Sequence, residues 1–420
     1  MATSSTLDAG APDVEPPRWR PNATIVAIGG FVVVSALLLI LGRIAVDHQI
    51  PGFGRQEFEP GVGWWGQWVR WDGNWYFHVA REGYAFHVGP QESVAFWPIY
   101  PLVMRFLSVL TNDQYDSGLV VTWLSGLGTI VLLSIWCRDK MSRAAAIATV
   151  ICLLVYPYAW YLHWSVYADA LFALCALGAF VLVERDRPVL AGLVGALAAA
   201  SRPMGLAVVV GMMVLVLERR DCLVPITASR DDGAVKRAAA WLRVPRRIHP
   251  SRVERRDWGI LLALVGPLAY VTFLWINKGN PLAFSDAESA AGWEHTFEPR
   301  TWLKIAILDN VRAIGFTQEN LGMLFHGCLA IGAILLVPKV VRRFGWGYGL
   351  YVLVLVGIPA LSSKDFYGLG RYLLGAFPVL AVVGEWLAGR SAVTRTTVWT
   401  VSALALGYLA YSYARGQYLA

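Results

Sequence analysis

The chain has 420 residues, 56% of them hydrophobic and 15% charged, with a positive mean hydropathy; apolar runs on this scale exceed what one soluble core buries and belong in lipid. The net charge of +7 would suit a nucleic-acid binder. However, 23 of the 36 Lys and Arg residues lie in short segments beside apolar runs, which reads as membrane topology and not as a phosphate-tracking groove.

In chain order, the first 22 residues are polar and proline-bearing, without the short apolar core and cleavage site of a removable signal, and are predicted to be a disordered cytoplasmic tail. About 20 apolar residues cross the hydrocarbon as one helix. Windows of this kind fall at 24 to 46, 118 to 136, 144 to 162, 168 to 184, 258 to 277, 319 to 337, 345 to 361, 372 to 388 and 395 to 413. The stretch 189 to 217 is too long for one simple span and is broken at Arg202-Pro203, so it is predicted as a hairpin of two short helices. The expected fold class is an all-α polytopic membrane bundle of about eleven transmembrane helices, with residues 23 to 420 forming one domain.

The basic segments at the N-terminus, 137 to 143, 185 to 187, 218 to 257, 338 to 343 and 389 to 395 are assigned to the cytoplasm. Two long loops, 47 to 117 and 278 to 318, then face the other side, together with connections near 163 to 167 and 362 to 371. The basic, proline-interrupted stretch 218 to 257 is expected to be a flexible linker on anionic headgroups. Cys137, Cys152, Cys175, Cys222 and Cys328 show no paired spacing, so neither a disulfide framework nor a metal cluster is expected.

The first long loop carries WVRWDGNWYFHVAREGY, with Trp64, Trp68, Trp71, Trp75 and Val79 at helical spacing, which predicts an interfacial helix. Asp72 falls on or beside its lipid-leaning face, where a carboxylate is costly without a purpose or a partner. It is either a general base for a sugar hydroxyl or a helix-capping residue before Gly-Asn. Trp71, Tyr76 and His78 surround it as sugar-contacting candidates.

ESVAFWPIYPLVMRF follows, a second, kinked surface helix flanked by Glu92 and Arg105; Glu92 either holds an acceptor hydroxyl or is a solvated helix-start acid. His163, Tyr167 and Asp169 open a later helix among aromatic residues, either as a sugar-contacting surface or as part of an ordinary aromatic belt. Arg202, at the break of the hairpin, needs an anionic partner: a lipid phosphate or a carboxylate from another helix. Lys364 and Arg371 place two cations on the outer side, against the charge bias, where they would meet a phosphate or ordinary lipid headgroups. No Gly-rich phosphate loop, paired acidic motif or Cys/His cluster is present, so no cofactor or metal is expected and a cytosolic nucleotide-sugar donor is disfavoured.

Taken in order, WDGNWYFHVAREGY, AFWPIYPLVMR, ASRPMG and GRYLLGAFP resemble the glycosylphosphatidylinositol mannosyltransferase II family, also called phosphatidylinositol-glycan class V, over nearly all of residues 64 to 390. The resemblance implies a C-type glycosyltransferase fold with Asp72 as the catalytic acid of the first extracytoplasmic loop. It also implies an inverting mannosyltransferase that draws on a polyprenyl-phosphate carrier and, in a bacterial member, works at the outer face of the cytoplasmic membrane on a glycolipid or lipoglycan. Ala168 and Asp169 differ from the small residue and Glu of the family, and Trp97 stands in place of Phe. Arg371, helped by Arg202 or Lys364, is expected to hold the donor phosphate. Other readings of the chain are a lipid-linked-sugar flippase, a non-catalytic assembly subunit, or a transferase for another polyprenyl-phosphate sugar or a protein acceptor.

Overall fold

A computed structural model describes residues 22–50, 66–85, 87, 88, 90–229 and 232–419. The predicted tail up to residue 21, and Trp64 in the first loop, lie outside the described residues. Asn22 starts α1 (Ala23–Val46) by accepting the Ile25 N–H at 2.9 Å. The first long loop holds α2 (Asp72–Glu82), a two-residue hairpin (β1, His87–Val88; β2, Gln91–Glu92) and α3 (Ile99–Thr111). Asp113 caps α4 (Gln114–Lys140), and Ser142 caps α5 (Arg143–Leu154). There follow α6 (Trp160–His163), α7 (Asp169–Glu184), α8 (Pro188–Ala199) and α9 (Leu206–Arg219).

The basic stretch expected to be a flexible linker carries structure of its own. Leu223–Pro225 (β3) pairs with Pro245–Ile248 (β4) around α10 (Ala234–Trp241), and Arg220 binds Asp186, Glu254 and Asp257 at 2.8–3.1 Å. These ion pairs fasten the ribbon to the end of the bundle. A 3-10 segment, Arg255–Leu264, leads into α11 (Val265–Lys278), and the second long loop adds α12 (Ala283–Glu288), α13 (Pro299–Trp302) and α14 (Ile305–Ile314). The chain closes with α15 (Gln318–Phe344), α16 (Trp346–Ser362), α17 (Leu369–Tyr372), α18 (Phe377–Ala388) and α19 (Ala392–Ala414).

The chain is an all-α polytopic membrane protein. Among the described residues, four helical stretches, Ala23–Val46, Gln114–Lys140, Arg255–Lys278 and Asn320–Phe344, are long and apolar enough to cross a membrane. A fifth crossing is added if the bent pair Leu369–Gly375 and Phe377–Ala388 counts as one span. Of the other predicted windows, 395 to 413 holds the 23-residue α19, whereas 144 to 162, 168 to 184, 345 to 361 and 372 to 388 hold helices of 17 residues or fewer, so the bundle mixes long helices with short and broken ones. Inside the bundle α7 packs between α4 and α8, α9 packs on α16, and α18 packs on α5 and α15.

Three departures from the expected spans shape the interior. The window 144 to 162 stops at Leu154; after it the aromatic run turns inward, with Tyr156 donating to the Gly370 carbonyl at 2.8 Å. Gly126 on α4 makes room for this turn, since a Cβ there would lie 1.8 Å from the Leu162 oxygen. At the predicted hairpin break, Arg202 is extended and Pro203 opens a one-turn 3-10 helix, as expected for a residue held out of the α region by the proline after it. Lastly, α17 and its following turn meet α18 at 82°, with the Tyr351 hydroxyl donating to the Gly375 carbonyl at 2.7 Å. This bend carries Arg371 inside the bundle instead of leaving it at the head of a straight span.

The two surface helices of the first loop divide. On α3, Leu102, Phe106, Val109 and Leu110 are exposed while Tyr100 and Met104 are buried, the pattern of a helix lying against lipid. The interfacial helix expected around Asp72 is different. Trp71 has a left-handed φ of 55°, so α2 begins only at Asp72, and Trp75, Tyr76, Phe77 and Val79 are all buried. Their rings pack on protein and not on lipid: Trp75 stacks on Phe96 at 5.5 Å and Phe77 on Tyr115 at 3.8 Å. Arg105 closes the far end of α2 by donating to the Ala80 and Val79 carbonyls.

Candidate functional site

A cavity of about 290 Å³ opens where α2, the Arg202 break, α12, the end of α16 and α17 converge. Asp72 sits at the start of α2, its backbone N–H donating to the Tyr167 hydroxyl at 3.1 Å. A carboxylate in the first turn of a helix faces the positive end of the backbone dipole. Arg371 Nη2 donates to Asp72 Oδ2 at 2.9 Å across 299 residues of sequence. The guanidinium is set among rings, 4.8 Å from the centroid of Tyr167, 5.2 Å from Tyr372 and 5.7 Å from Tyr161.

Only Nη2 of Arg371 is engaged. Its buried Nε and Nη1 have no hydrogen-bond partner among the described residues, although a buried unpaired donor typically costs about 1–3 kcal/mol. The two nitrogens point to different sides of the guanidinium plane's outline, so each offers a separate N–H to an anion oxygen, beside the Nη2 that Asp72 occupies. A carboxylate and a half-satisfied guanidinium therefore share one wall of a cavity. Such a pair can accept a proton and hold an anion side by side.

Arg202 also lines the cavity, but both ends of its fork are taken: Nη1 and Nη2 reach Asp169 Oδ1 and Oδ2 at 2.8 and 2.7 Å. Of the two partners considered for it, the carboxylate from another helix is the one present, so Arg202 and Asp169 form a wall and not an open anion site.

The opposite wall comes from the second long loop. Glu288 ends α12, Trp293 packs edge-on to Trp75 at 5.3 Å, and His295 Nδ1 lies 4.0 Å from Glu288 Oε2. Burial pushes the Glu288 carboxyl up to about 8 and the His295 imidazole down to about 4, the latter against the pull of Asp72. Around neutral pH the dyad therefore carries little charge beside the Asp72–Arg371 pair. Tyr372 and Tyr418 complete the rim, and the Trp71 ring stands edge-on to Tyr418 at 4.9 Å behind Asp72.

No protein-family model matches the chain, and no curated protein matches it. Solved structures do. The archaeal oligosaccharyltransferase AglB of Archaeoglobus fulgidus, in complex with an inhibitory peptide and a dolichol-phosphate, is 13% identical over 92% of this chain and 55% of its own, with a TM-score of 0.39. ArnT of Cupriavidus metallidurans, bound to undecaprenyl phosphate, is 14% identical over 93% of this chain and 77% of its own, with a TM-score of 0.47. The chain spans about half the length of the oligosaccharyltransferase. The resemblance to the mannosyltransferase II family thus rests on its sequence motifs.

Of the residues singled out from sequence, Asp72, Tyr76, Arg202 and Arg371 line the cavity, with Tyr167, Asp169 and Trp71 directly behind. Four others lie elsewhere. Glu92 is in the β1–β2 hairpin, ion-paired with Lys278 at 2.8 Å, because the hairpin turns it toward the end of α11. His78 is on the far face of α2 beside Glu82 at 3.4 Å. His163 is a core histidine, bonded to Ser35 at 2.7 Å and stacked on Phe31 at 4.2 Å. Lys364 points outward to Glu294, while Lys304, from the second loop, donates to the Ser363 carbonyl at 2.6 Å and fixes the turn.

Glu288, Trp293, His295, Tyr372 and Tyr418 went unnoticed in the sequence. The segment GWEHTF has the same aromatic-with-polar texture as the stretches that drew attention, which was the available signal.

Proposed function

We propose that the chain is a membrane glycosyltransferase of the inverting kind, moving mannose from a polyprenyl-phosphate carrier to a glycolipid or lipoglycan acceptor at the outer face of a bacterial cytoplasmic membrane. The observation that carries the reading is the Asp72–Arg371 pair, with its two unpaired guanidinium donors, on the wall of a cavity within a membrane helix bundle. The motif resemblance supplies the sugar and the carrier.

In this mechanism the guanidinium of Arg371, through an N–H that Asp72 leaves free, holds the donor phosphate, the leaving group. Asp72 keeps lone pairs beyond those shared with Arg371 and takes the proton of the acceptor hydroxyl as its oxygen attacks C1 of mannose. The C1–O bond to phosphate breaks on the opposite face, which inverts the anomeric centre. Charge gathering on the departing phosphate is met by a cation already in place and shielded from water, so little reorganisation accompanies the step. Trp293, Phe96 and Tyr76 offer ring faces and edges for the sugar, and Met204 and Ile358 add apolar lining to the same cavity.

The test uses membranes bearing wild type, Asp72→Asn or Arg371→Ala, supplied with radiolabelled polyprenyl-phosphate mannose, with label followed into the lipid fraction. Loss of a general base reduces transfer by about 10²- to 10⁴-fold, and Arg371→Ala is expected to lower turnover and donor affinity together. Full transfer by correctly inserted Asp72→Asn would remove the proposed base. Transfer from a different polyprenyl-phosphate sugar, with none from mannose, would correct the donor alone.

A further inference from the structure

A second feature lies along the bundle away from the Asp72 cavity. Between α15, α18 and α19 runs a groove of about 570 Å³ whose lining is almost wholly apolar, from Phe325 and Leu373 at one end to Leu336 and Leu387 at the other. Eleven residues of α15 separate Phe325 from Leu336, about 16 Å of rise, close to the roughly 15 Å of hydrocarbon in one leaflet.

The groove does not end blindly. Leu336 and Val383 also line an adjoining depression of about 710 Å³, bordered by Lys339, Arg342, Arg343, Trp241 and Trp386. Lys339, Arg342 and Arg343 are spaced i, i+3 and i+4, so they share one face of α15. Arg343 is committed to Glu385 at 3.0 Å and to the Lys140 carbonyl. Arg342 Cζ lies over the Trp241 ring, 4.3 Å from its centroid, and neither Arg342 nor Lys339 has a carboxylate partner among the described residues. Two tryptophans beside an apolar trough mark the level where hydrocarbon meets headgroups.

We propose that this groove is a binding site for an anionic phospholipid, with an acyl chain along α15 and α18 and the phosphate on Lys339 and Arg342. The shape suits a lipid and the cations select its charge: a chain of leaflet length needs an apolar trough, and a phosphodiester needs cations at one end only. The donor carrier fits less well, because in the proposed function its phosphate lies on Arg371, whereas Lys339 and Arg342 lie 13 and 16 residues beyond His326, the α15 residue that accepts the Gly370 N–H beside Arg371. The choice of a phospholipid over the donor carrier rests on the proposed function, whereas lipid retention is measured without any transfer, so the two readings fail separately.

The full-length protein is stripped of lipid in neutral detergent, incubated with micelles holding equal amounts of phosphatidylglycerol and phosphatidylcholine, and weighed by native mass spectrometry. At about fivefold per cation near anionic headgroups, wild type is expected to retain phosphatidylglycerol over phosphatidylcholine by roughly 30-fold, and Lys339→Gln/Arg342→Gln to retain them nearly equally. Gly332 lines the groove, and a Cβ there would meet nothing within 4 Å, so Gly332→Phe starts into open space; with an unchanged melting temperature as the check on folding, it is expected to fill the trough and lose both lipids. An unchanged preference in the double variant overturns the headgroup site. Undiminished phosphatidylglycerol on Gly332→Phe overturns the groove as its seat, and displacement of phosphatidylglycerol by added undecaprenyl phosphate overturns the phospholipid as occupant.

Discussion

Changing Asp169 to Asn is expected to destabilise the protein far more than replacing both members of its ion pair. Asp169 and Arg202 are 1% and 6% exposed and joined at both ends of the fork. In Asp169→Asn the Arg202 guanidinium, 5.8 Å from the Phe172 centroid and 5.1 Å from that of Tyr372, is left with one amide oxygen in place of two charged acceptors. Breaking one side of a buried pair costs roughly 3–5 kcal/mol; the retained amide contact sets the expectation near the lower figure, about 3 kcal/mol. In Asp169→Leu/Arg202→Met both desolvation penalties disappear together, so the double variant is expected to be neutral or more stable than either single variant. A double-mutant cycle of thermal unfolding in detergent reads the coupling directly. Wild-type stability in Asp169→Asn, or single effects that simply add, would refute the buried pair. Transfer assays on the same proteins separate wall from ligand: the double variant should keep part of the activity, whereas Arg371→Ala should not.

Gly126→Ala is expected to separate α4 from the turn at Leu162 and to cost about 1–3 kcal/mol by overpacking, while Gly29→Ala on α1, with open space around it, should be neutral or slightly stabilising; equal melting temperatures for the two would dismiss the close approach. Glu92→Gln and Lys364→Gln remove exposed ion pairs and should change stability by at most about 1 kcal/mol and transfer hardly at all. A large fall in transfer in either would return it to the substrate. Glu288 binds its proton more tightly folded, near 8, than unfolded, near 4.5, so its contribution to stability diminishes as pH rises through that interval. Melting temperatures of wild type and Glu288→Gln between pH 5 and 8.5 should diverge in slope, and parallel curves would count against a buried acid.

What the sequence determined by itself is what depends on neighbours along the chain. Runs of apolar residues announced a polytopic helical protein, and the break at Arg202-Pro203 followed from the steric conflict of a residue before proline with helical backbone. Asp72 and Arg371 stood out because charge in an apolar or outward setting is costly enough to need a reason. Tertiary structure decided where those costs are met. Nothing local shows that α2 turns its rings into the bundle, or that an 82° bend draws Arg371 inward to Asp72. Nor does local sequence show that Arg202 is spoken for by Asp169 while Glu92 and Lys364 find exposed partners of their own. The facing wall of Glu288, Trp293 and His295 comes from a loop without helical periodicity. Pairings over tens to hundreds of residues are fixed by how helices pack and which polar groups that packing leaves without water, and hydropathy along the chain carries no record of either.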